Sequence, residues 1–304
     1  MTRIALAVDL GGTKIETGLV DDAGRVLDGS RHRQPTGREI DPAGLRAAVS
    51  AVVGSALDAL PRDATFVGAG IGSAGPVDLA SGTIAPVNMP SAHGFPLVEA
   101  VADAAIAGTG LADVEARLRH DGGCLALAES WRGAAADARA SLSIVVSTGV
   151  GGGIVVDGRP VGGASGNAGH LGQTAAAEHG GELTLEEVAS GPASVRWAQL
   201  SGWSGATGED LSRDAARGDR IARQAIERSA RAVGLALADA STLLDLDLVA
   251  ISGGFSFVSD DYVDLVASAL RDWASLPYAR QTRVVRSGLG PDGPLVGAAA
   301  LALL

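Results

Sequence analysis

The sequence predicts an α/β protein with central sheets, and three observations carry that prediction. Strand-like and helix-like stretches alternate along 304 residues, a length that allows two domains. Two glycine-rich hairpins of the same order lie about half a chain apart. Nearly half of the residues are hydrophobic but only 3% are aromatic, so the core must be mostly Ala, Val, Leu and Ile. Forty-three glycines suit many tight turns.

The first 33 residues read as a three-strand meander. Ile4–Leu10 alternates apolar residues, Gly11-Gly12 turns the chain, and Thr13–Val20 returns. Asp21-Asp22-Ala23-Gly24 turns again before a third strand at Arg25–Arg33. The order recurs at Ser143–Thr148, a glycine turn, Gly153–Val156, the Asp157-Gly158 turn and Arg159–Val161. The recurrence suggests an internal duplication, although any two hairpins share this look. Between the copies, Pro42–Ala59 has a helical period and Thr65–Ile71 is a strand opening into a Gly/Pro/Ser-rich loop. Leu97–Ala107 and Leu125–Ala138 then read as helices. Past the second copy, helices are expected at Thr184–Leu200, Arg220–Leu243, Ser259–Ala274 (with Ser259 as N-cap) and Leu295–Leu304. A buried strand, Leu248–Ser252, ends in Gly253-Gly254.

The stretch VSTGVGGGIVVDG, residues 146–158, decides between two phosphate-binding designs. A dinucleotide fingerprint needs a helix directly after the glycines. Here the glycines lead into β-branched residues and an Asp-Gly turn, which is a strand and a hairpin. Near the N-terminus, DLGGTK puts Asp9 at a strand end, followed by Gly11, Gly12, Thr13 and Lys14. Phosphoryl transfer needs backbone and hydroxyl donors on the phosphates and a carboxylate for Mg²⁺ or its waters. This hairpin offers both, and it reads equally as a plain β-turn with Thr and Lys facing water.

A net charge of −11 disfavours nucleic acid or an anionic membrane as the main partner. One cysteine, Cys124, excludes an intramolecular disulfide and a cysteine-rich zinc site. The N-terminus has no signal-peptide pattern and no apolar run is long enough to span a bilayer, so a cytoplasmic protein is expected.

The blocks DLGGTKIETGLVD, GIGSAGPVD, GTIAPVNMP, STGVGGGIVVDGRPVGGASGNAGHLG, LEEVASGPA and LGPDGPLVGAAALA resemble, in order, the ROK family of sugar kinases. That resemblance implies the two-domain actin-like ATPase (ribonuclease H-like) fold, with MgATP in a cleft. It also implies domains at 1–117 plus 288–304 and at 118–287, and a homodimer. Asp9, Gly11, Gly12, Thr13 and Lys14 would form the first phosphate loop, and Thr148, Gly149, Gly151 and Gly152 the second. Gly253 and Gly254 would lie against the adenosine. In HDGGCLALAE, Asp121 aligns with the catalytic base and Glu129 with the glutamate closing the block, while His120 replaces the usual Asn. Asp121 could also serve as an N-cap for a helix starting near Leu125. Asn88 matches a sugar-binding Asn and is also a natural turn residue.

The family pattern breaks in GHLGQTAAAEHGGELTLEE. His170 stands at the usual Glu, Gln173 at the usual His and Thr184 at the last cysteine, so the family's zinc ligands are missing. His170 and His179 as a replacement pair lack a third ligand. Glu186 keeps its carboxylate, and His170 and Gln173 can still hydrogen-bond hydroxyls. The expected activity is ATP-dependent phosphorylation of a hexose or related polyol. The alternative is a non-catalytic sugar or nucleotide-binding regulator of the same fold.

Overall fold

The computed structural model describes residues 1–177 and 182–304, so His179 falls outside the described residues. Contacts divide the chain into two units: residues 1–132, 160–168 and 289–304, and residues 133–159 and 169–288.

In the first unit, β1 (Arg3–Leu10) and β2 (Lys14–Asp21) form an antiparallel hairpin, with β3 (His32–Pro35) beside β2. Helix α1 (Pro42–Leu57) is capped by Asp41, whose carboxylate accepts from Gly44 N–H. Strand β4 (Thr65–Ser73) follows parallel to β1, and a small hairpin forms from β5 (Val77–Asp78) and β6 (Thr83–Ile84). Helix α2 (Leu97–Thr109), β7 (Ala116–His120) and α3 (Asp121–Arg132) come next. The sheet order is β3-β2-β1-β4-β7.

The second unit repeats this plan. Its meander is β8 (Ala140–Val146), β9 (Val150–Val156) and β10 (Arg159–Pro160), followed by helices α4 (Leu185–Ala189), α5 (Gly191–Leu200), α6 (Gly208–Ala216) and α7 (Arg220–Leu244). Strand β11 (Leu248–Ser252), α8 (Tyr262–Trp273), α9 (Pro277–Arg280) and β12 (Arg283–Arg286) complete the order β10-β9-β8-β11-β12. Both sheets are therefore an antiparallel meander extended by two parallel strands, and the expected duplication is present in the topology.

Helix α10 (Gly293–Leu303) belongs to the first unit. It is apolar all round and buried, as such a helix must be. Leu295, Ala298 and Ala299 cover Ala5 and Ala7 of β1, while α1 and α2 cover the opposite face of the sheet. Small residues make the approach close: a Cβ on Gly297 would run into the backbone of Cys124 on α3.

Several expectations need correction. The third strand lies at His32–Pro35 and not at Arg25–Arg33, because the Asp21 carboxylate accepts from the Ala23 and Arg25 amides and prolongs the turn. Helix α3 begins at Asp121 rather than near Leu125, so Asp121 is its first residue and not a cap ahead of it. The Thr184–Leu200 helix is two helices, broken where Ser190 caps α5 by accepting from Ala193 N–H. Helix α8 starts at Tyr262, and Asp261, not Ser259, holds the N-cap position. Contacts group residues up to Arg132 with the first unit, where β7 pairs with β4 and α3 packs on α10. No helix among the described residues is long and apolar enough to cross a membrane.

Candidate functional site

In the first unit the β1–β2 hairpin brings two carboxylates face to face. Asp9 and Glu16 are direct cross-strand partners, and their environments push them in opposite directions. Burial lifts the Asp9 carboxyl to about 7, helped by the Asp121 and Glu16 carboxylates and opposed only by Lys14. Burial also acts to raise Glu16, but hydrogen bonds from Arg33 and Lys14 overcome it and hold Glu16 below the usual range. Lys14, Arg33 and Arg31 all reach the Glu16 carboxylate, Arg33 at 2.8 Å and Arg31 at 3.3 Å. At the turn, Gly11 N–H donates to Lys14 O at 2.9 Å, leaving Thr13 exposed. Gly12 packs so closely on the Asn88 amide that a Cβ there would collide with it. The structure thus joins the first glycine loop to Asn88.

Asp121 is exposed at the end of β7, and its Oδ1 accepts from Gly122 N–H at 2.7 Å. Its effect on Asp9 places the two carboxylates within electrostatic reach. Glu129, two turns along α3, is fully buried. His120 is 2% exposed: Gly123 N–H donates to its Nδ1 at 3.2 Å, and its Nε2 lies 3.0 Å from Ala168 O. The Asn167 amide, one residue earlier, accepts from Val77 N–H at 2.9 Å and donates to Val77 O at 2.8 Å. These bonds explain why residues 160–168 group with the first unit. The sequence reading singled out neither Asn167 nor these bonds; the run SGNAGH holds the only polar amide in that loop and was the available signal.

In the second unit, Ser147 N–H donates to Gly149 O at 2.9 Å, closing the turn that carries Thr148. The Glu186 carboxylate accepts from Val150 N–H at 2.8 Å and meets Gln173 Nε2 at 3.5 Å, so Gln173, Glu186 and the second loop form one cluster. Gly151 and Gly152 continue into β9. Gln173 N–H donates to His170 O at 3.0 Å, and His170 also borders a largely apolar cavity of about 520 Å³ with Leu142, Ala236 and Leu243. Gly253 has a φ of +92° and lies against the backbone of Val146, where no side chain would fit.

Beside that turn opens a second cavity, of about 770 Å³, bordered by Thr148, Gly191, Thr207, Gly254 and Phe257. Arg286 lies behind Phe257, one of the cavity's bordering residues. Its guanidinium donates to Ser256 O at 2.9 Å and Asp260 O at 3.0 Å and lies 4.8 Å from the centre of the Phe257 ring. Of the helices that border this cavity, α5 was read only as part of one helix although the block LEEVASGPA opens it, and α6, which no short motif marks, was missed. Among the described residues, no group of three or more His, Cys, Asp or Glu could hold a metal ion.

The ROK family model matches residues 5–304. The chain is 32% identical over 306 residues to the N-acetylmannosamine kinase of Escherichia fergusonii, spanning 98% of this chain and 97% of that relative. It is 33% identical to the N-acetylmannosamine kinase of Escherichia coli O7:K1, over 98% of each. The crystal structure of a ROK hexokinase from Thermus thermophilus is similar at a TM-score of 0.81 and 31% identity, covering 98% of this chain and 97% of that one. A ROK family glucokinase from Streptomyces griseus, solved with glucose and AMPPNP, is similar at a TM-score of 0.79 and 28% identity, covering 98% and 99%.

Proposed function

The chain belongs to the ROK family and is a phosphotransferase acting on a sugar hydroxyl; within that class we propose that it transfers the γ-phosphate of ATP to N-acetylmannosamine or a close hexosamine. The carrying observation is the end-to-end similarity to N-acetylmannosamine kinases, at about a third identity, in a chain that retains an exposed carboxylate at Asp121 beside the first hairpin. Asp121 is the general base, accepting the proton of the attacking hydroxyl as the bond to phosphorus forms. Its own Gly122 amide orients it from behind. Asn88, His170, Gln173 and Glu186 hydrogen-bond the sugar; a half-buried carboxylate already aligned by the Val150 amide favours ring hydroxyls as donors.

Gly11, Gly12, Thr13 and Lys14 donate to the phosphates from the first loop, as Thr148, Gly149, Gly151 and Gly152 do from the second. The nucleoside occupies the cavity beside Gly253 and Gly254. Mg²⁺ accompanies the ATP, and Asp9 fits it: a single carboxylate crowded by other carboxylates gains from a cation, and Mg²⁺ bound with phosphates needs few protein ligands. When bound, the ion neutralises phosphate charge.

The test is ADP release from MgATP with N-acetylmannosamine, N-acetylglucosamine, mannose and glucose, using Asp121→Asn as control. N-acetylmannosamine is expected to stimulate most, and the variant to lose about 10²–10⁴-fold in turnover while folding normally. A flat panel, with ATP binding confirmed by calorimetry, overturns the reading in favour of a non-catalytic regulator. The observation that favours this second reading is the replacement of the family's Glu and His by His170 and Gln173.

A further inference from the structure

His120 occupies the position before the proposed base, where the family pattern has Asn, and the geometry points to a role that Asn could only half perform. Its ring is buried and both nitrogens meet backbone. Gly123 N–H donates to Nδ1, so Nδ1 carries no proton. Ala168 O can only accept, so Nε2 carries the proton and donates. The neutral ring is thereby held in one tautomer with two arms. One arm ties the first turn of α3, which begins at Asp121. The other ties the end of the 160–168 segment, whose Asn167 is already bonded to Val77 and whose backbone continues through Gly169 to His170. Gly123 has no side chain to keep the ring away: a Cβ there would lie 3.2 Å from Nε2.

We propose that His120 is a positioning residue that independently fixes the orientation of Asp121, through Gly123, and the course of residues 160–168, through Ala168. The kinetic part of this assignment rests on the sugar-kinase reading; the structural part does not. Two isosteres separate the arms. The Oδ1 of Asn falls where Nδ1 lies and can accept from Gly123, but no atom of Asn reaches Ala168. The Nε2 of Gln falls where the imidazole Nε2 lies and can donate to Ala168, but nothing in Gln replaces the acceptor for Gly123.

The experiment compares His120→Asn, His120→Gln and His120→Ala in the full chain, by amide hydrogen exchange without ligands and by steady-state kinetics. Exchange at Ala168, whose N–H donates to Gly162 O at 3.1 Å, is expected to quicken at least tenfold in the Asn and Ala variants and stay as wild type in Gln. Turnover is expected to stay within about threefold of wild type in Asn and to fall at least tenfold in Gln. Identical behaviour of Asn and Gln in both measurements, or unchanged Ala168 exchange in Asn, overturns the assignment. Should the Ala variant fail to fold, the Asn–Gln pair decides alone. If the wild type phosphorylates no sugar, the functional reading fails, while the exchange pattern still decides whether His120 ties residues 160–168.

Discussion

The two hairpins share a strand order and differ in charge. The β1–β2 hairpin carries Asp9, Lys14 and Glu16 within eight residues, backed by Arg31 and Arg33. The β8–β9 hairpin has no ionisable side chain between Ser143 and Val156; among the described residues Glu186 comes to it from α4 and accepts from the Val150 amide. Duplicated topology therefore does not mean duplicated chemistry. One copy concentrates charge whose ionisation depends on its neighbours. The other offers amides and hydroxyls, whose donor capacity is indifferent to pH.

The strongest way to break this contrast is Asp9→Asn. Turnover is expected to fall about 10²–10³-fold, measured by ADP release. Stability should move the opposite way. The Asp9 carboxyl stands near 7 in the fold against an ordinary 3.8. Its contribution is therefore complete below 3.8 and lost as pH rises through about 7. The always-neutral Asn escapes that loss. The variant's unliganded stability should gain on wild type between about pH 4 and pH 7, by an amount on the order of a few kcal/mol at most, read as a growing difference in melting temperature. A constant difference across that range would refute the raised Asp9 carboxyl in the unliganded fold.

The matching change in the second hairpin is Gly149→Ala, whose Cβ would sit 2.5 Å from Glu186 Oε2 and disturb the Val150 bond. A rise of about tenfold in KM is expected, for the sugar if Glu186 is displaced and for ATP if the turn moves, with no new pH dependence. Glu16→Gln comes next. The wild-type Glu16 contribution is present above the ordinary 4.5 and lost as pH falls through its lower folded value. Urea titration at pH 7 should show a loss of about 1–2 kcal/mol, vanishing at strongly acid pH. Smallest is Arg223→Ala, which removes a bidentate pair with Asp261 far from either hairpin in sequence. That pair is partly exposed and should cost no more than about 1 kcal/mol, with turnover unchanged.

The sequence made the hairpins legible because their signals are local: alternation, glycine turns and a carboxylate at a strand end. Helix α3 was misplaced for a physical reason. Asp121-Gly122-Gly123 has the composition of a turn, and only the packing of α3 on α10 and the Gly123 N–H bond to His120 make it helical. Strand β7, ARLRH, hides behind two arginines that its place at the sheet edge accommodates, Arg117 pairing with Glu115 and donating to Leu301 O. Asp9, Asp121 and Glu186 could be singled out by residue type and motif. The clamp of Arg286 on the Ser256–Asp260 turn could not, since it depends on carbonyls from a distant segment pointing one way.

The placement of α10 has a consequence for how the molecule is made. The first unit's sheet is complete by His120, yet the helix that covers β1 and β4 is synthesised only after all of the second unit. A ribosome-bound chain can therefore finish the later unit while Ala5 and Ala7 of the earlier one are still uncovered. Vectorial synthesis inverts the expected order, and the emerging chain carries an open apolar sheet face through most of translation, a natural substrate for chaperones that hold nascent hydrophobic surface.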